Sequence, residues 1–310
     1  MNPYSGANFF QFFYLLFKRL ISGGIWTPAA DEVQLAVLSC CALACGLIGP
    51  FLTLKRMSMF ANSLSHTVLP GIVIAFLLVS TLWQGRWNDP SVFLLGALFA
   101  AVLTAVLTEG LGRLFRLQED ASIGLVFTSL FAIGVALVTL YTRNAHLSVE
   151  AIMGNPDALQ LSDLRFSALI ALFNLLAVAL LYRRLLLSAF DESLGRTLGF
   201  SAFFSRSALF LITALTCMGA FRAVGALVVL ALLVGPYLIA RLFCHRVSHL
   251  LIWTPLIGIL LCSAGVALSR AILSTTGVPL STSGLIATLI GAAFLLATSF
   301  KKLRFLAANH

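Results

Sequence analysis

Read for polarity alone, the chain is a succession of long apolar runs separated by short polar breaks. The runs fall near residues 32–54, 60–83, 91–112, 121–141, 162–182, 205–220, 223–243, 249–272 and 284–300. Most are about 20 residues long, the length at which a helix crosses roughly 30 Å of hydrocarbon. In lipid every backbone polar group needs an internal partner, so such runs predict helices rather than open strands. The predicted fold is all-α, a polytopic bundle of about eight or nine transmembrane spans. The run at 205–220 is short and carries Arg206, and it is expected to form half of a hairpin with the run after it.

The first apolar stretch, FFQFFYLLFKRLIS, is broken by Lys18 and Arg19 and lacks a small-residue cleavage site. No cleavable signal peptide is expected. The stretch reads as a helix lying in the interface, with a short extra span as the alternative. The expected organisation is therefore an interfacial segment at 1–31, one transmembrane domain at 32–304 and a tail at 305–310.

Composition strengthens the membrane reading. The 310 residues are 60% hydrophobic and 10% charged, where soluble domains carry about 25% charged residues. The balance of 20 Lys+Arg against 11 Asp+Glu gives a net +9. The basic residues are scattered in ones and twos between apolar runs, without the aromatic-interleaved patch of a nucleic-acid binder. Their distribution orients the chain. Alternate breaks hold Lys55/Arg56, Arg113/Arg116, Arg183/Arg184/Arg196, Arg241/Arg246 and Lys301/Lys302/Arg304. The opposite breaks hold Arg86, Arg143, Arg222 and Arg270, mostly singly. Positive residues concentrate inside, which puts the first set and the C-terminus in the cytoplasm.

Several chemistries find no support. The six cysteines form no C-x-x-C pair, so neither a disulfide framework nor a zinc ribbon is indicated. Neither G-x-x-x-x-G-K-[ST], H-E-x-x-H nor G-x-S-x-G occurs, so the chain is not expected to bind ATP through a P-loop or to be an enzyme of those classes.

One polar cluster stands out, in KRMSMFANSLSHTVLPGIVIAFLL from Lys55 to Leu78. Asn62 and His66 are four apart and share a helix face, with Ser65 and Met59 near it. Polar groups at membrane depth are costly and face an interior or a water-filled path. Pro70 has no N–H, so the carbonyl of His66 loses its helical donor. An imidazole, an amide oxygen and a freed carbonyl in one turn suit zinc, manganese or ferrous iron. A histidine hydrogen-bonded to a neighbouring helix is the plainer reading. Pro50 and Pro236 repeat the device, and either broken helices or ordinary proline kinks are expected there. The break at 187–204, LSAFDESLGRTLGFSAFF, is placed inside and is expected to form a short helix along the membrane surface, with Asp191 and Glu192 in its first turn. The outer break holds His146, Glu150 and Asp157, which solvation would explain or which could meet a partner.

GPFLTLKRMSMFANSLSHTVLPGIVIAFLL resembles the pattern G-x-F-L-x-L-R-R-M-x-x-x-G-D-A-L-S-H-A-V-L-P-G of the membrane permeases of bacterial ABC importers for zinc, manganese and iron. LQEDASIGLVFTSLFAIGVAL resembles that family's E-D-x-A-I-G-I-V-F segment, FDESLGRTLGF its F-D-x-E-x-A-x-x-L-G segment, and FRAVGALVVLALLVGPYLIARL its R-x-V-G-x-L-L-V-x-A-L-L-V-x-P segment. The four matches are collinear from about residue 36 to 300. The resemblance implies a fold similar to that of the cobalamin and siderophore importers, and a complex of two permeases, identical or different, with two ATPases. An extracytoplasmic metal-binding protein would feed it, in a bacterial inner membrane. ATP would bind the partner chain, and the metal would be cargo, with no resident cofactor. The resemblance makes the segment 189–202 a coupling helix for the ATPase, including Asp191, Glu192, Gly195 and Gly199. It makes His66 and Asn62 the metal-contacting pair, with Ser65, Met59, Pro70 and Pro236 along the pathway or its gate. The family's Asp is Asn62 here, so a carboxylate is missing, and the implied remedy is a different partner permease that supplies it. The alternatives are a permease for a metal chelate such as a siderophore or cobalamin, and an ion-coupled secondary carrier.

Overall fold

The computed structural model describes residues 3, 4, 6, 8–21, 29–82, 90–141, 156–190, 192–199 and 201–308. Among these residues the chain is helical, with eleven α-helices, one 3-10 turn at Pro156–Ala158 and no strand. The helices are α1 (Phe9–Ile21), α2 (Ala30–Leu54), α3 (Ser58–Leu82), α4 (Pro90–Leu114), α5 (Glu119–Tyr141), α6 (Leu161–Phe190), α7 (Glu192–Thr197), α8 (Ala202–Val224), α9 (Ala226–Phe243), α10 (Val247–Thr276) and α11 (Thr282–Ala308). Each predicted apolar run coincides with one long helix.

Among the described residues, eight helices are long and apolar enough to cross a membrane: α2, α4, α5, α6, α8, α9, α10 and α11. The protein is thus a multi-pass membrane protein. α3 is equally long at 25 residues and no less apolar overall than several of these, with Asn62, Ser63, Ser65, His66 and Thr67 in its first half. The run at 205–220 proves longer than its apolar core. α8 extends it to 23 residues, enough for a full crossing. Gly225 alone separates α8 from α9, at φ 88, a left-handed conformation that an L side chain strains to adopt. The prolines do not unwind their helices. α2, α3, α9 and α10 continue through Pro50, Pro70, Pro236 and Pro255. A proline forfeits one helical hydrogen bond, and helices in lipid hold together around that loss when neighbours pack against it.

The chain divides into two compact units. The first comprises Met1–Pro50, Asn155–Phe173 and Ala223–His310. In it α9, α10 and α11 pack on one another, and α1 packs on α10. The Tyr4 hydroxyl donates to Glu32 at 2.7 Å, and Arg19 pairs with the same carboxylate at 2.7 Å, tying the N-terminal segment to the start of α2. Burial, and then the bond to Glu32, push the Tyr4 phenol above its ordinary pKa, so it stays a donor. α11 continues to Ala308, into the residues expected as a tail.

Residues that the charge pattern assigns to one side meet at one end of this unit. Arg270 pairs with Asp31, whose side chain is fully buried. The Asp157 carboxylate accepts from Gln34 at 2.9 Å and from the Thr282 hydroxyl, which also bonds Ser269. His146 and Glu150 lie outside the described residues.

The second unit comprises Phe51–Gly154 and Asn174–Arg222. Here α3 packs on α4 and α5. Gly71 and Gly96 bring the α3 and α4 backbones so close that a Cβ on either would strike the other's carbonyl. Farther along, Asn174 of α6 and Thr216 of α8 are fully buried and hydrogen-bond each other at 2.8 Å.

Candidate functional site

α3 begins after a three-residue turn. The Lys55 N–H reaches the Phe51 carbonyl and the Met57 N–H the Leu52 carbonyl, with Arg56 at φ 60 between them. Burial then chooses the helix's rotation. Met57, Phe60, Ala61 and Leu64 are wholly buried, with the Phe60 ring 4.3 Å from that of Phe210. The opposite stripe is left open. Met59 is 62% exposed, and Asn62 and His66, at the next two helical steps, are exposed as well.

This inverts the usual arrangement of a helix in lipid, where exposed faces are apolar. An amide and an imidazole facing hydrocarbon would be costly. The stripe is a surface that another polypeptide or a water path must cover.

The imidazole is not loose on this surface. Two rings of α5 flank it, Phe127 at 5.4 Å and Phe131 at 5.5 Å between centroids. The two phenylalanines, one turn apart, stack on each other at 6.0 Å. The apolar rings limit where the imidazole can turn and leave its nitrogens for partners beyond the packed face. Phe127 closes the EDASIGLVF segment, a sequence signal that carried no stated role until its neighbour was known. Pro70 is buried one turn beyond His66, against Gly134 of α5, where a Cβ would come within 2.8 Å of the proline ring. The carbonyl of His66 has no helical donor four residues on, because Pro70 has no N–H.

The other expected site residues are placed as follows. Ser65 is buried off the stripe, and its hydroxyl donates to the Asn62 carbonyl at 2.7 Å, within its own helix. Pro236 belongs to the first unit, buried in α9 with the Gly258 position of α10 beside it. Asp191 lies outside the described residues. Glu192 opens α7, a helix of six residues that contains Gly195, and Gly199 follows it at φ 81. α7 is therefore shorter than the 189–202 segment, whose ends, 189–190 and 202, belong to α6 and α8.

The donor chemistry of the stripe is an imidazole nitrogen, an amide oxygen and a thioether. No group of three or more His, Cys, Asp or Glu among the described residues is placed to hold a metal ion.

A family model described as the ABC 3 transport family matches residues 31–301. A protein of Chlamydia muridarum named probable metal transport system membrane protein is 35% identical over 292 residues, covering 94% of this chain and 92% of its own. The manganese transport system membrane protein MntD of Bacillus subtilis is 33% identical over 265 residues, covering 81% of this chain and 85% of its own. Among solved structures, PsaBC from Streptococcus pneumoniae in complex with Fab superposes with a TM-score of 0.70 at 22% identity, over 89% of this chain and 93% of that one, a likeness of fold.

Proposed function

The chain belongs to the ABC 3 transport family, and from that premise we propose that it is the permease subunit of an ATP-driven importer carrying a divalent transition metal, zinc, manganese or iron, into the cytoplasm. It supplies the passage and not the hydrolysis. ATP is bound and cleaved on a separate ATPase, which docks at α7 through Asp191, Glu192, Gly195 and Gly199. An extracytoplasmic protein delivers the metal, in a bacterial inner membrane with the C-terminus of this chain cytoplasmic. The grouping of basic residues on alternate breaks supports that orientation.

One observation supports this reading of the pathway: the exposed stripe of Met59, Asn62 and His66 in the first half of α3, where residues 60, 61, 63–65 and 67–73 are buried. A second permease chain, facing this stripe, completes the passage. A divalent cation entering a low-dielectric path must exchange water for protein donors. His66 offers a nitrogen, suited to borderline metals. Asn62 offers a neutral oxygen, which binds less tightly than a carboxylate, so the facing chain is a different permease that brings the missing negative charge. Pro70 and Ser65 shape the α3 backbone around the pair, and Pro236 plays the corresponding part in α9.

The test is uptake into proteoliposomes that hold this chain, its partner permease and the ATPase, with zinc, manganese and ferrous iron measured separately. Uptake that requires ATP and the delivery protein is expected. Uptake that proceeds without the ATPase would sink the importer reading.

A further inference from the structure

Outside the α3 stripe, the second unit contains a charged cluster for which the transport reading has no part. Glu109 sits in the last third of α4, within an apolar helix, and its side chain is only 8% exposed. Two guanidinium groups reach it. Arg113, one turn on, approaches at 3.5 Å, and Arg206 of α8 approaches at 3.9 Å. The Arg113 guanidinium also sits over the ring of Phe203, 3.6 Å from its centroid. Two elements of α8, Phe203 and Arg206, one helical turn apart, are thus fastened to two of α4, Arg113 and Glu109, also one turn apart.

The location gives the cluster its meaning. Only residues 198–201 separate the end of α7 from the start of α8, and Gly199 within them is left-handed. Phe203 and Arg206 lie in the first turns of α8. On the other side, α4 is held to α3 by the close Gly71–Gly96 approach, flanked only by the small side chains of Ala75 and Ala100. A short linker thus joins α7 to the head of α8, side-chain contacts join that head to the end of α4, and α4 packs on the helix that bears His66. Buried carboxylates stay ionised at such cost only where cations are held against them. Two packed helices joined by a charge-paired double contact move together more readily than helices that merely slide on apolar side chains.

We propose that Glu109 is a positioning residue for transport: through Arg206 and Arg113 it ties α8 to α4, so that displacement of α7 by the ATPase is delivered to α3. The proposal rests on the importer reading above. Removing the tie leaves the ATPase able to turn over but disconnects its stroke from the pathway, because Glu109 lies on α4, away from both α7 and the α3 stripe in sequence.

The experiment measures metal ions imported per ATP hydrolysed, with zinc and manganese as probes, in proteoliposomes of the whole complex. Glu109→Gln and Arg206→Gln are each expected to keep ATP hydrolysis within about twofold while lowering the ions moved per ATP by about fivefold or more. The double variant is expected to be no worse than either single, since both break one link. Glu109→Asp, which keeps the charge, recovers part of the ratio. Phe203→Leu removes only the partly exposed ring under Arg113 and leaves no buried charge behind. It assembles even if the Gln variants do not, and it lowers the ratio by about twofold. Equal falls in hydrolysis and uptake, independent multiplicative losses in the double variant, or an unchanged ratio in Phe203→Leu would overturn the tie. If the wild-type complex itself imports metal without ATP, the importer reading is what fails.

Discussion

The head of α2 and the exposed stripe of α3 both place polar groups in apolar helices, and they treat them in opposite ways. At the head of α2, Asp31 is fully buried and Arg270 reaches across from α10 to pair with it. Gln34, one turn on, bonds Asp157. On α3, Asn62 and His66 face outward, with rings of Phe127 and Phe131 against the imidazole but no charged neighbour supplied for either among the described residues. In lipid an unmatched polar group is costly, so the first pattern holds the chain together, and the second fits the proposed role of meeting something that arrives from outside it. The difference separates structural polarity from functional polarity without reference to residue type.

The largest expected effect comes from breaking the paired side of the comparison. Arg270→Ala leaves the Asp31 carboxylate buried without its cation, and the cost is about 3 kcal/mol of folding stability. Denaturant titration of the detergent-solubilised protein reads it. The double variant Asp31→Asn/Arg270→Gln removes both charges and is expected to recover most of the loss. A single variant that costs under about 1 kcal/mol would place this pair with ordinary exposed salt bridges and blur the contrast with α3.

On the unpaired side, His66→Ala is expected to leave stability unchanged, because the side chain is exposed, and to lower metal uptake by about tenfold or more. Transport at the wild-type rate would remove His66 from the pathway. Asn62→Asp sharpens the same contrast. If the facing permease already supplies a carboxylate, a second one beside it tightens the hold on a divalent cation. A several-fold lower half-saturating metal concentration is then expected, with slower release at saturation. An unchanged concentration dependence would argue that Asn62 does not face the ion.

Much of this contrast could be read before any coordinates. Apolar runs of about 20 residues are a strong signal in lipid, and each predicted run became one long helix. The spacing of Asn62 and His66 put them on one face by helical geometry alone. Which face would be open was not legible, because these helices are apolar nearly all round and the pattern does not mark an inward side. Helix continuity through Pro50, Pro70 and Pro236 was also hidden, since it depends on packing by neighbours such as Gly134. α8 is longer than the run at 205–220 because Arg222 looks like a boundary when only hydropathy is read, and because 202–204 read as part of the preceding break. The pairs Asp31–Arg270, Glu109–Arg206 and Asn174–Thr216 join residues far apart in sequence, and no local spacing announces them.

The smallest effect tests whether pairing alone, without charge, is enough to classify a polar group as structural. Asn174 and Thr216 are both fully buried, the amide donates to the hydroxyl at 2.8 Å, and the hydroxyl also bonds the Ile212 carbonyl. Asn174→Ala and Thr216→Ala each remove one side of an uncharged bridge between α6 and α8. Interhelical hydrogen bonds in membranes are worth about 0.6 kcal/mol on average, because the unfolded helices in lipid find other partners. A double-mutant cycle on stability is expected to return a coupling of that size, and uptake should stay close to wild type in both singles. A coupling near zero would mean that burial does not by itself reveal structural pairing. A loss of uptake at wild-type stability would move Asn174 from the group that holds the helices together to the group that serves the ion.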